Sequence, residues 1–154
     1  MTDEMTPADH ARSIDEARER LIGFVERCTD GDWRAAPVDG DPRPVSLIAD
    51  HVAHAYEYLA SWVRDLMAGR PVEVTGEVVD ALNAEHAAGA GALTRGQVVG
   101  HLRASGDAMI TLIAGLEPGQ LDLEEGRVRR FAVIATRHAD SHRAEMEAAL
   151  TAAV

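Results

Sequence analysis

Two histidines stand four residues apart late in the chain, at His138 and His142, inside a segment with helical periodicity. Advancing about 100° per residue from Phe131 brings Ile134, Ala135, Met146 and Ala149 within about 60° of one direction, the stripe expected to face a core. His138 and His142 fall within about 20° of its centre, one turn apart. Leu, Ile or Met would fill such a position without a polar group to satisfy. Two readings fit: core histidines hydrogen-bonded to other side chains, or ligands aiming ring nitrogens at one divalent ion. The second needs a further ligand from another helix.

Two histidines compete for that role. With Ile48 as zero, Val52, Ala55, Leu59, Trp62 and Leu66 form a buried stripe, from which His51 lies about 60° off-centre and His54 about 120°. His101 lies about 60° from a stripe of Val98, Leu102, Ser105, Met109 and Leu112. Periodicity does not choose between His51 and His101. His10 and His86 read as surface residues, and Asp50 and Asp140 as surface charges. Glu145, one turn beyond His142 and about 40° from the stripe centre, is the candidate to orient an imidazole or act as general base. Its plain alternative is a helix glutamate paired with Arg143 or solvent. Arg127, Arg129 and Arg130 crowd the first turn of the same helix, where cations oppose the helix dipole. Arg127 and Arg130 are candidates to grip a carboxylate of a cofactor or substrate, and otherwise balance Glu124 and Glu125. Trp33, Tyr56, Tyr58 and Trp62 are candidates for a pocket mouth, with Trp62 better placed in the core.

Positioning these groups requires long helices, and the punctuation supplies them. A first helix is expected from about Pro7 to Cys28, with Thr6 as N-cap, Pro7 at the first helical position and Gly31 just beyond the end. DGDWRAAPVDGDPRPV reads as a loop because of its prolines and glycines. A second helix follows from about Ser46 to Ala68, stopped by Gly69-Arg70-Pro71. PVEVT has an extended pattern, and a short helix fits Gly76 to Ala88. Thr94 and Gln97 form a capping box for a third long helix ending near Gly115. EPGQLDLEEG is a linker, and the fourth long helix runs from about Arg127 almost to Val154. The expectation is a single all-α domain over residues 1–154, a four-helix bundle with one additional short helix.

Composition agrees and narrows the function. Among 154 residues, 46% are hydrophobic and 27% charged, ordinary for a globular domain, while aromatics at 4% argue against a sheet protein. Fifteen basic residues face 26 acidic ones, a formal charge of −11 that disfavours nucleic acid as a partner. Cys28 stands alone, which excludes an intrachain disulfide and fits a reducing compartment. The charged N-terminus lacks the apolar stretch of a signal peptide, and no apolar run is long enough for a bilayer. A cytoplasmic protein acting on a small molecule is expected, with a homodimer compatible.

The segments IADHVAHAYEYL, LNAEHAA and RHADSHRAEMEAAL, in that order and preceded by DGDWRAAPVDG, resemble the DinB/YfiT-like superfamily. The branch they resemble most includes mycothiol-dependent maleylpyruvate isomerase. The resemblance spans nearly the whole chain. It implies a helical bundle with a divalent ion, zinc or nickel, held by one histidine near the start of the second long helix and two positions on the last. Carried over, those are His51, His138 and His142. It further implies chemistry with a low-molecular-weight thiol of the mycothiol type, by a transferase or isomerase acting on a small electrophile. Glu145 stands where relatives often carry Gln, and the segment containing Asn83 belongs to the resemblance without an assigned role. Three imidazoles leave coordination open for a thiol or for water, so hydrolysis without thiol is an alternative. A non-catalytic bundle with a structural ion or a dimer surface is another.

Overall fold

The computed structural model describes residues 4–153. The chain forms α1 (Pro7–Arg27), α2 (Asp30–Arg34), α3 (Val45–Met67), α4 (Gly76–Gly89) and α5 (Arg95–Ala114), then a 3-10 turn (Pro118–Asp122) and α6 (Leu123–Ala152). No strand occurs among the described residues. Thr6 and Asp9 close a capping box on α1, with Pro7 in the first turn, and Thr94 and Gln97 close one on α5. Each satisfies backbone N–H groups that a helix start otherwise leaves orphaned. At the end of α3, Gly69 takes φ +73, and the N–H groups of Gly69 and Arg70 turn back onto Leu66 and Asp65. A left-handed residue at a helix end suits glycine because it has no Cβ to clash.

Four long helices make the bundle. α1 and α3 each pack against both α5 and α6. Direction follows from the cross-links. Arg20 bonds Asp140 and Arg27 lies 3.7 Å from Glu147, so α1 and α6 run in parallel. Asp50 meets His101 near the starts of α3 and α5, which also run together. His51 meets His138 while Trp62 packs on Phe131, so α3 and α6 are antiparallel. The order is up, down, down, up. Ile14, Leu21, Ile48, Leu59, Leu102, Met109, Ile113 and Met146 are fully buried between the four rods. Each such side chain contributes about 1.5–3 kcal/mol of burial.

Several expectations change. The Pro/Gly-rich loop contains α2, capped by its own Thr29–Asp32 box and anchored by buried Trp33, whose indole N–H donates to the Leu93 carbonyl at 2.8 Å. PVEVT forms no strand, and the last linker holds the 3-10 turn. Glu124, Glu125 and Gly126 adopt left-handed backbone, so regular helix begins at Arg127 as the pattern indicated. Ile134, assigned to the inward stripe, is 45% exposed. The stripe is narrower than the periodicity suggests: α6 packs on α1, α3 and the 3-10 turn, and the Ile134 side stays uncovered.

Arg18 is one of the buried polar residues. Its guanidinium, 7% exposed, bonds Asp15, Asp107 and the Arg103 carbonyl. The stem crosses α5 where Gly106 has no side chain: a Cβ there would lie 2.5 Å from Arg18 Cδ. Gly106→Ala is therefore expected to destabilise the fold by about 1–3 kcal/mol in urea titration, despite the roughly 1 kcal/mol helix-propensity gain of alanine.

Candidate metal centre

The first half of α3 presents His51 and the second half of α6 presents His138 and His142. Their Nε2 atoms converge: His51 to His138 is 3.0 Å and His138 to His142 is 3.1 Å. The rings stand edge to face, at interplanar angles of 76°, 87° and 81°. All three ligand-type atoms lie within 4.8 Å of one another. His51 is buried and the other two are half-buried.

The arrangement fits a cation better than a hydrogen-bond network. One ring nitrogen carries either a proton or a lone pair, so His138 Nε2 serves only one neighbour well. A tetrahedral ion about 2.0 Å from each nitrogen would separate ligand atoms by about 3.3 Å, close to the spacing present. Imidazole donors suit zinc, nickel, copper or iron. The Nδ1 atoms of His51 and His138 are buried without a hydrogen-bond partner, so these rings are oriented by packing and not by carboxylates.

Electrostatics keep the ligands neutral. Burial, aided by the neighbouring imidazoles and Arg43, pushes His51 down to about 2. Burial, with His142 and Arg43, pushes His138 down to about 4, and burial then Arg43 lowers His142 as well. Neutral imidazole is the form that binds metal. Arg43 belongs to the loop before α3 and is fixed by hydrogen bonds from its Nε and Nη2 to Asp41. It was invisible to helical periodicity because it lies in a Pro-flanked loop.

His101, which rivalled His51, is engaged elsewhere. Its Nδ1 donates to Asp50 at 2.7 Å and its Nε2 meets Glu57. Burial alone would lower its pKa, but the two carboxylates outweigh burial and raise it. Asp50 is not a surface charge: it is 6% exposed and also binds His86 Nε2 at 2.7 Å. His86 is likewise not a surface residue, its side chain being 9% exposed and its ring 6.2 Å from that of His51. His54 stacks on His86 at 5.0 Å. His10 is also buried, at 2%. Asp50 is buried and His86 largely shielded because α4 covers a polar face of α3, and no pattern within α3 can report a neighbour.

Glu145 is exposed and hydrogen-bonds none of the histidines, though its charge favours the protonated form of His142. Arg143 pairs with Asp140 and Glu147. Arg127 donates to the Val72 carbonyl at 2.8 Å and lies over the Phe131 ring, while Arg130 donates to the Glu125 carbonyl. Arg129 binds Asp122 and the Met5 carbonyl. Of the four aromatic candidates, Tyr56 is core, Trp33 is the buried residue of α2, and Tyr58 and Trp62 are half-buried and in mutual contact. Cys28 is buried, and its thiol is pushed up to about 11 by that burial.

The depressed pKa values carry a stability consequence. The unfolded chain protonates these histidines near 6.5, before the folded state does. Their contribution is full above about pH 6.5 and drains as pH falls toward about 4. His101 works in the opposite sense, being stabilising below about 6.5 and lost as pH rises through its raised value. Burial lowers His10 and His54 as well, so five lowered histidines outweigh one raised, and the urea midpoint of metal-free protein should drop between about pH 7 and about pH 5.

A sequence model of the DinB superfamily matches residues 13–146. No curated protein sequence matches the chain significantly. Among solved structures, the one described as "Sibling Lethal Factor Precursor - DfsB" superposes with a TM-score of 0.75 over 98% of each chain, at 17% identity. At that identity the likeness concerns the fold. The up-down-down-up bundle, the histidine cluster joining α3 to α6, and a family match that spans most of the residues place this chain in the DinB superfamily.

Proposed function

We propose that the protein is a metal-dependent enzyme, a thiol-using S-transferase or isomerase that acts on a small electrophile at the histidine triad. The observation that carries this reading is the convergence of three neutral imidazole nitrogens, a donor set one short of a closed tetrahedral site. His51, His138 and His142 would hold the ion, with zinc or nickel matching the donors. Bound there, a divalent ion lowers the pKa of a thiol or a water brought to it.

The chain's own groups supply the rest. Cys28 is buried at the end of α1 and is not part of the triad; in this reading the sulfur is that of a low-molecular-weight thiol of the mycothiol type, as the resemblance implies. Arg43 holds a positive charge beside the triad and favours negative charge developing on that sulfur. Glu145, one turn past His142, would accept the thiol proton at a carboxylate oxygen. Arg127 and Arg130 lie two to three turns before His138 on α6 and would hold a carboxylate of the substrate.

Protein reconstituted with Zn(II) or Ni(II) is expected to bind one ion, and His142→Ala to lose stoichiometric metal while keeping its helical circular dichroism. With a thiol and a panel of small electrophiles, product should form only when metal and thiol are both present, and Glu145→Gln should slow it by about a hundredfold or more. Turnover without thiol would assign hydrolysis instead. Metal binding without turnover, with unfolding on chelation, would assign a structural ion.

A further inference from the structure

A cavity lies apart from the triad, at the end of the bundle where α2, the start of α3 and the start of α5 meet. It measures about 610 Å3, within the range of small-molecule pockets. None of the three triad histidines lines it. On α3 its wall is Ser46, five positions before His51 and so about 140° round the helix from it. A molecule bound here faces away from the candidate metal.

The lining combines a rigid apolar body with one uncompensated cation. Trp33 is 6% exposed, and its indole N–H is tied to the Leu93 carbonyl. That bond pins the segment between α4 and α5 against α2. Pro44 and Leu93 extend the apolar surface on either side of the indole. Two guanidiniums and one carboxylate also reach the cavity, and the carboxylate is spoken for: Asp30 pairs with Arg95 at 2.8 Å. Arg34, the last residue of α2, has no ion-pair partner among the described residues. In a chain of formal charge −11, carboxylates are the abundant neighbours, and this arginine sits in a concavity whose one lining carboxylate is held by Arg95.

We infer that this cavity is a second ligand site, and that it takes a small aromatic carboxylate. The ring would lie against Trp33 and Pro44, with the carboxylate on Arg34 and within reach of the Ser46 hydroxyl. Planar guanidinium matches carboxylate with two parallel hydrogen bonds, and an apolar wall beside the fork excludes competing water. A fully hydrated inorganic anion gains the charge but not the wall.

Trp33 reports directly on occupancy. In the Trp62→Phe variant, which leaves Trp33 as the only indole, benzoate should change the fluorescence saturably at millimolar concentration, and inorganic phosphate should do so far more weakly. Arg34→Gln, at an exposed position without a partner, should leave the melting temperature unchanged and weaken benzoate about tenfold, as loss of a charge-assisted pair predicts. Gly96→Leu offers an independent check. Gly96 lines the cavity and a Cβ there meets nothing within 4 Å, so a larger side chain is expected to fit without clash at its root and to narrow the space. It should abolish the response. His142→Ala should leave benzoate binding intact, which separates this site from the triad. A response that survives both Arg34→Gln and Gly96→Leu, an equal response to phosphate, or no saturable response in the parent would each overturn the inference.

Discussion

The closeness of His51, His138 and His142 depends on α3 and α6 being held in a single register, because nothing polar behind the rings holds them. Two of the three Nδ1 atoms are buried without partners, so each imidazole is aimed by the apolar packing around it. Trp62 against Phe131, about three turns along the same interface, fixes how far α6 slides on α3. α1 and α5 complete the frame, each touching what the other diagonal presents. A slip of one residue would rotate a ligand by about 100° and dissolve the cluster. A close-packed core has little room for such a slip.

Beside the triad runs a second set of polar contacts with a different logic. Asp50 sits next to His51 in sequence but faces the other way, gathering His86 from α4 and His101 from α5. Its burial is balanced by these two imidazoles, as a buried carboxylate requires. α4 buries no residue of its own, so this polar attachment, with His54 stacked behind it, contributes more to its placement than apolar packing does. The bundle thus devotes six of its seven histidines to one band across α3, three converging on each other and three arranged around carboxylates.

Charge follows a similar division. The surface is strongly acidic, yet the triad lies beside Arg43, and the large cavity contains Arg34 without a carboxylate partner. Both arginines come from the connection between α1 and α3, outside any long helix. Loops vary and carry function because a rigid scaffold positions them; here the scaffold supplies the imidazoles and the loop supplies the cations.

Much of this was legible before any coordinates. Thr6, Pro7, Thr94 and Gln97 act on backbone groups three residues away, so local sequence was enough to mark where α1 and α5 begin. The inward aim of His138 and His142 follows from the apolar residues sharing their stripe. What sequence periodicity could not decide was the choice between His51 and His101, which lie at equal angles on their own helices. That choice belongs to the packing of three helices: α6 stands against the His51 side of α3, and Asp50 takes His101. The burial of Asp50, His86 and His10, the exposure of Ile134 and the cavity under α2 have the same origin. A helix dictates the direction in which each side chain points, but only the neighbour that arrives there determines whether the side chain meets water, a carboxylate or another ring.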